Sequence, residues 1–303
     1  MQLREALKTG LKTLLESGVP SPELAAELLL MHVLGRDRGY LYAYPEAEIS
    51  EEITRRYFQS VDERATGKPT QYITGHQEFW GLDLEVTPDV LIPRPETEHV
   101  VEAVIDLAQR QGFDREAPLR LVDVGTGSGC IALALAAEFP CVILFATDIS
   151  RPALDVASRN AARLGMAERG KFLESDLLAC FLDARAPGQD FNQSPNESFL
   201  GAFDFVVSNP PYVARDELDK VQREVREFEP RLAWGGLERG DEVYRRLIPQ
   251  ARAVLKPGRW LIVEIGYNMG ETVPALFGND WTDVEVRPDL AGIPRVVVAR
   301  RAP

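Results

Sequence analysis

Leu119-Arg120-Leu121-Val122-Asp123-Val124-Gly125-Thr126-Gly127-Ser128-Gly129 decides the fold. Its first six residues have the length and β-branched content of one strand, and three glycines in alternate positions follow without a break. Glycine is needed where the backbone takes positive φ or lies against a ligand, and the next stretch, 131–138, is an alanine-rich helix. A strand, a glycine turn and a helix in that order open a parallel β/α unit. The pattern repeats downstream, with strands predicted at 142–147, 171–174, 203–207 and 260–265 and helices at 152–164, 216–227 and 242–255. Alternation of this kind builds a mostly parallel sheet covered on both faces, an α/β fold of Rossmann-like type. A last pair, 281–287 and 295–300, joined through Pro288-Asp289-Leu290-Ala291-Gly292, reads as a closing antiparallel hairpin.

The glycine turn also limits the ligand. A dinucleotide fingerprint calls for a third glycine where Cys130 stands, which weighs against NAD. The second strand ends at Asp148, placed to accept hydrogen bonds from ribose hydroxyls. An adenosine-bearing cofactor without a pyrophosphate fits both observations, although an acid at a strand end can also serve only as a cap.

The fourth strand of the series stops at Asn209-Pro210-Pro211-Tyr212. Neither proline carries an N–H, and each fixes its own φ, so the segment offers mostly acceptors. The Asn209 side-chain oxygen and the Pro210 carbonyl can take both hydrogens of one planar –NH₂ group, with the Tyr212 ring beside it. Held in that way, an amide or exocyclic amine has its nitrogen aligned for attack without a strong base. Asn-Pro-Pro is also an ordinary way to end a strand.

Ahead of the sheet, residues 1–69 read as helical. Leu3, Leu7, Leu11, Leu14 and Leu15 recur at helical spacing, Gly18 stops the run, and Ser21-Pro22 restarts it as cap and first residue. Residues 23–34 and 51–65 continue the bundle, a candidate substrate-docking domain. From Gln71 the pattern turns to β, so 70–92 is expected to be a β-hairpin linker and 93–303 the second domain. The segment 179–202 is polar and broken by Pro and Gly, the signature of a long loop.

The chain has 303 residues, 45% of them hydrophobic, and a formal net charge of −13. That content supports real cores, and the acidic balance argues against wrapping duplex DNA. The charged N-terminal stretch has no signal-like apolar core and no segment long enough to cross a membrane, and a soluble, cytoplasmic monomer is expected. Cys130, Cys141 and Cys180 lack metal spacing, and His32, His76 and His99 form no paired motif, so no metal site is expected. The two Asn-x-Ser sequons at Asn192 and Asn196 are read as chance matches.

Taken together, the glycine turn, Thr147-Asp148, Ser175-Asp176 and Asn209-Pro210-Pro211-Tyr212 resemble a Rossmann-type S-adenosylmethionine methyltransferase of class I acting on a planar amine or amide. Ile92-Pro93-Arg94-Pro95-Glu96-Thr97-Glu98, Phe228-Glu229-Pro230 and the helical front narrow the resemblance to the release-factor glutamine N5-methyltransferases, the PrmC/HemK family. The resemblance covers nearly the whole chain. It implies that Gly125, Thr126, Gly127, Ser128 and Gly129 run under the methionine part of S-adenosyl-L-methionine, that Asp148 holds the ribose, and that Asp176 and Leu177 flank the adenine, with Asn209 also at the cofactor. Asn209 and the Pro210 carbonyl would grip the glutamine amide, with Pro211 and Tyr212 completing the substrate site, and the partner would be the Gly-Gly-Gln loop of peptide-chain release factors. A glutamine methyltransferase of a ribosomal protein shares this site, and an N6-adenine nucleic-acid methyltransferase would use the same grip. A nicotinamide oxidoreductase lacks its glycine, and a purely binding module leaves the acceptor-rich turn without a purpose.

Overall fold

The computed structural model describes residues 1–182 and 199–303; most of the segment read as a long loop, and both sequons, lie outside the described residues. The chain divides into two compact units: Met1–His76 with Val221–Phe228, and Gln77–Lys220 with Glu229–Pro303.

The first unit is helical: α1 (Leu3–Glu16), α2 (Pro22–Leu34), α3 (Arg38–Ala43), α4 (Glu51–Ala65) and α5 (Thr70–Thr74). α1 buries Leu3, Ala6, Gly10 and Leu14, one face of a 3.6-residue repeat. Gly10 is there for contact, since a Cβ would lie 2.2 Å from the Tyr57 hydroxyl of α4. Ser21 does not act as the expected side-chain cap of α2: it sits at φ +48 and makes no capping bond, while Pro22 does occupy the first turn. A second correction concerns Gln71, Tyr72 and Ile73, read as the start of β structure. They lie in α5, closed by Gly75 at φ +79, because Ile73 packs into the helical core and that burial outweighs β propensity. Arg64, 3% exposed, pairs with Glu224 and donates to the Lys68 carbonyl, tying Val221–Phe228 into this unit.

The second unit starts with a hairpin, β1 (His76–Phe79) and β2 (Leu82–Glu85), turned through Trp80 and Gly81, both at positive φ, which matches the twist of the strands. After a 3₁₀ turn at Pro95–Thr97 come α6 (Glu98–Arg110), β3 (Arg120–Val124), α7 (Cys130–Glu138), β4 (Ile143–Asp148), α8 (Arg151–Arg163), β5 (Gly170–Glu174) and a short α9 (Ala179–Leu182). The chain resumes with β6 (Phe203–Ser208), β7 (Val213–Ala214), α10 (Arg223–Phe228), which belongs to the first unit, α11 (Arg231–Trp234), β8 (Gly235–Leu237), α12 (Glu242–Val254), β9 (Leu255–Glu264), β10 (Trp281–Pro288) and β11 (Pro294–Arg301).

Seven strands form one sheet in the order β10-β11-β9-β6-β3-β4-β5. β5, β4, β3, β6 and β9 run parallel, and β11 and β10 add the antiparallel closure expected from the sequence. Leu121 and Val122 illustrate why the strands read as largely apolar runs: the first packs with α6 and α7 on one face, the second with α12 and a phenylalanine cluster on the other. In that cluster Phe181 and Phe203 meet Phe145 edge to face at 5.6 and 5.4 Å. Two segments differ from expectation. The helix expected at 216–227 is a 3₁₀ turn, Arg215–Lys220, followed by α10, and 179–182 forms a helical turn anchored by buried Phe181. The crossing at β3 next to β4 and β6 is where strand order reverses, which is where such sheets open a crevice at their carboxyl ends.

Candidate active site

A cavity of about 320 Å³ lies at that crevice, entirely within the second unit. The glycine turn forms one wall. Gly125 and Gly127 take φ of +71 and +56, and a Cβ on either would project into open space, so glycine is needed there for the backbone conformation. Gly129 has a different role: a Cβ would lie 3.2 Å from Leu133 and 3.3 Å from Ala157, so its bare α-carbon lets α7 and α8 pack. The turn is fixed from below by the Thr147 carbonyl, which accepts from Gly125 N at 2.8 Å and Thr126 N at 3.0 Å. From the side, fully buried Asn160 donates to the Ser128 carbonyl at 3.0 Å while bonding both backbone groups of Glu85. One asparagine on α8 thus locks the β1–β2 hairpin to the glycine turn.

Asp148 accepts from Gly127 N at 2.9 Å and Ser150 N at 2.8 Å, and each carboxylate oxygen retains a further lone pair. Burial raises its pKa, and the backbone bonds work against that shift. Asp176 is paired with Arg246, which also lines the cavity. Leu177 next to it holds φ +55, uncommon for a side chain of that size. Ile131, Ile149 and Leu177 supply apolar wall. Buried Asp123 lies beneath the turn; its Oδ2 accepts from the Thr126 hydroxyl at 2.7 Å, and burial pushes its pKa up to about 7 against that bond and one from the Ala132 backbone. Cys130 is pushed by burial up to about 12, so its thiol is inert at neutral pH. A glycine turn without side chains, an acid at the middle, an apolar slot and few polar groups suit an adenosine ligand with a polar tail. Among the described residues no group of three His, Cys, Asp or Glu could hold a metal ion, and no helix is long and apolar enough to cross a membrane.

Asn209 and Pro211 reach the cavity from the end of β6, whereas Pro210 is buried behind it. A chain of hydrogen bonds fixes the Asn209 amide. The Thr97 hydroxyl donates to Glu264 Oε2 at 2.6 Å, so it can only accept from Asn209, whose Nδ2 lies 3.1 Å away. With Nδ2 committed, Oδ1 faces the other way. The Tyr212 hydroxyl donates to Glu264 Oε1 at 3.3 Å, and the Tyr244 hydroxyl to the Glu264 carbonyl at 2.7 Å. Behind Tyr212 the backbone has no slack: a Cβ on Gly240 would lie 2.5 Å from the Tyr212 carbonyl, and one on Gly235 would lie 2.5 Å from the Val213 carbonyl. Another buried carboxylate, Glu229, receives Arg94 at 2.6 Å and Ile92 N at 3.3 Å, which gives the Arg94 segment its anchor.

Of the residues read from sequence, Gly125, Thr126, Gly127, Ser128, Asp148, Asp176, Leu177, Asn209 and Pro211 converge on this cavity, while Gly129, Pro210 and Tyr212 stand behind its surface. Thr97, Asn160, Glu229, Arg246 and Glu264 were not singled out for these parts. Glu264 carried a signal, a carboxylate directly following the apolar run Trp260-Leu261-Ile262-Val263. The others act across contacts that no local pattern reveals.

Residues 5–75 match the PrmC N-terminal domain and residues 110–237 the Methyltransferase small domain. The release factor glutamine methyltransferase of Koribacter versatilis is 49% identical, covering 99% of this chain and 99% of its own. That of Moorella thermoacetica is 40% identical, again covering 99% of each. Among solved structures, the catalytic domain of human Mettl16 is 17% identical with a TM-score of 0.51, covering 80% of this chain and 81% of its own, a likeness of fold alone. With near-complete coverage at such identity, the chain belongs to the release factor glutamine methyltransferases.

Proposed function

We propose that this protein transfers the methyl group of S-adenosyl-L-methionine to the side-chain amide nitrogen of the glutamine in the Gly-Gly-Gln loop of peptide-chain release factors. The observation that carries the reading is the fixed Asn209 amide, whose donor side is taken by Thr97 so that its oxygen is left for a substrate –NH₂. Gly125 to Ser128 would hold the methionine portion of the cofactor, Asp148 the ribose, and Asp176 with Leu177 the adenine. When bound, the cofactor supplies an electrophilic methyl group on a sulfonium. The protein's own contribution is alignment: Asn209 Oδ1 and the Pro210 carbonyl accept the two amide hydrogens, holding the nitrogen with its lone pair aimed along one line. Both acceptors also stabilise the positive charge that grows on nitrogen as the new N–C bond forms and before a proton leaves. Pro211 would shape the wall beside the amide, with Tyr212 packed behind it.

Mass spectrometry of a release factor incubated with the protein and S-adenosyl-L-methionine should find one added methyl on that glutamine. Methylation of a ribosomal protein or of adenine instead would overturn the reading. We assign substrate docking to the helical region, residues 1–69. Deleting residues 1–66 should weaken release-factor binding by at least about tenfold with cofactor affinity little changed; equal loss of both would count against the assignment. A monomeric, cytoplasmic enzyme without duplex-DNA affinity goes with this reading and with its three free cysteines and net charge of −13. Dimeric sedimentation or salt-sensitive DNA binding would argue against it.

A further inference from the structure

We propose that Glu264 is a positioning residue, which in its ionised form sets the direction of the hydrogen-bond chain through Thr97 and so keeps the Asn209 oxygen turned toward the substrate amide. The inference rests on the function proposed above and adds to it a way for one buried proton to turn the grip off.

The geometry leaves little freedom. Glu264 is 3% exposed and ends β9, an interior strand of the sheet, where each of its carboxylate oxygens accepts from a different hydroxyl, Thr97 at 2.6 Å and Tyr212 at 3.3 Å. Thr97 is itself 2% exposed, so water does not readily replace either partner. A hydroxyl has one proton. While Glu264 is ionised, Thr97 spends that proton on the carboxylate and can offer Asn209 only a lone pair, which selects Nδ2. Once Glu264 is protonated it becomes a donor at one oxygen. If Thr97 receives that proton, its own hydrogen turns to Asn209, which then presents Oδ1 to Thr97 and Nδ2 to the cavity. Two –NH₂ groups would then face each other. If Tyr212 receives it instead, the Tyr212 hydroxyl hydrogen must leave its present position. In the first case the grip on the amide is lost; in the second Oε2 still accepts from Thr97 and Asn209 keeps its orientation, so the switch is the branch in which Thr97, the nearer partner at 2.6 Å against 3.3 Å, receives the proton.

The charged and titratable groups facing Glu264 are Tyr212, Tyr244, Cys130, Glu96 and Arg295, with Arg94 reaching it through Tyr212. Arg295 lies 3.8 Å from Glu96 and 2.9 Å from Asp289. Tyr212 and Tyr244 are both moved above the usual phenol range by burial. Burial also pushes Glu264 up to about 7, against the two hydroxyl bonds that favour its ionised form, with Glu96 raising it and Arg295 lowering it. The switch therefore operates near neutral pH.

The test has two arms. In protein labelled with ¹⁵N at its six asparagines, the side-chain signal of Asn209, identified by its loss in Asn209→Ala, should titrate with a midpoint near 7 and stay flat in Glu264→Gln. No substrate is needed for this arm. In the second, methyl transfer to a release factor at saturating cofactor should fall about tenfold per pH unit below the midpoint. That acid limb should vanish in Glu264→Gln. Thr97→Val should lower kcat by at least about tenfold, and Thr97→Ser should recover most of it. A static Asn209 signal in the parent, or the same titration in Glu264→Gln, overturns the proposal. So does an acid limb that survives in Glu264→Gln, which would then belong to another carboxyl raised by burial, Asp123 or Asp148. If the parent methylates no release factor at any pH, the functional reading fails, and the NMR titration still decides the hydrogen-bond chain by itself.

Discussion

Replacing Asn209 with alanine is expected to lower kcat for release-factor methylation by about 10²- to 10³-fold, the usual cost of deleting one preorganised dipole at a reacting centre. Cofactor affinity should change by no more than about threefold, since cofactor recognition is spread over the glycine turn, Asp148 and the apolar slot, and Asn209 touches one edge. Stability should change little, because the side chain is partly exposed and makes one hydrogen bond, to a Thr97 hydroxyl that keeps its own acceptor in Glu264. The pattern expected is a fall in kcat and kcat/KM together, the mark of an interaction made in the transition state. Calorimetric cofactor binding beside single-turnover methyl transfer would measure it. If turnover in the variant came within a few-fold of the parent, the amide would not be held by Asn209, and the acceptor role would have to move to the Pro210 carbonyl alone.

The order of strands and helices was legible because both faces of this sheet are buried. Runs such as 119–124 and 203–207 are mostly apolar, broken only by Arg120, Asp123 and Asp204, and glycines at positive φ follow the first of them at Gly125, Gly127 and Gly129. The cofactor loop and the Asn-Pro-Pro-Tyr turn are local features, written in residues that follow each other, so sequence was enough to place both at one crevice. Where sequence misled, a distant contact outweighed a local preference. Ile73 reads as β and is helical because it meets the helical core. What sequence could not give was the support beneath the site. Thr97 meets Glu264 across 167 residues, Arg94 meets Glu229 across 135, and Asn160 reaches Glu85 across 75. Hydrogen-bond direction matters most at Asn209, and it depends on Thr97 and Glu264, neither of which belongs to the motif it orients.

Two of the buried carboxyls, Asp123 and Glu264, make stability fall across the range in which the enzyme is expected to work. Asp123 and Glu264 are both raised to about 7, in each case chiefly by burial. A carboxyl whose pKa is higher in the folded than in the unfolded chain keeps its proton longer when folded. Its stabilising share is therefore complete below the unfolded value of about 4, shrinks as pH rises, and is gone above about 7. At pH 8 the ionised Asp123 costs the fold about 2–4 kcal/mol relative to a group that folding left unperturbed. Asp123→Asn should consequently stabilise the second unit at pH 8 by about 1–3 kcal/mol, less than the full amount because an amide has one acceptor oxygen for the Thr126 and Ala132 donors that the carboxylate serves with two. At pH 5 the gain should shrink toward zero, since the parent carboxyl is then protonated too. Glu264→Gln should follow the same sign with a smaller gain, because the amide can accept from Thr97 or from Tyr212 but not from both without turning one of them. Thermal unfolding of the ligand-free protein at the two pH values measures this directly. A stability that rises from pH 5 to pH 8, or an Asp123→Asn variant less stable than its parent at pH 8, would mean that these carboxyls find compensation in the fold. If the gain is found in Glu264→Gln together with slower methyl transfer, the ionised Glu264 is a group retained at a cost in stability because the substrate grip requires its charge.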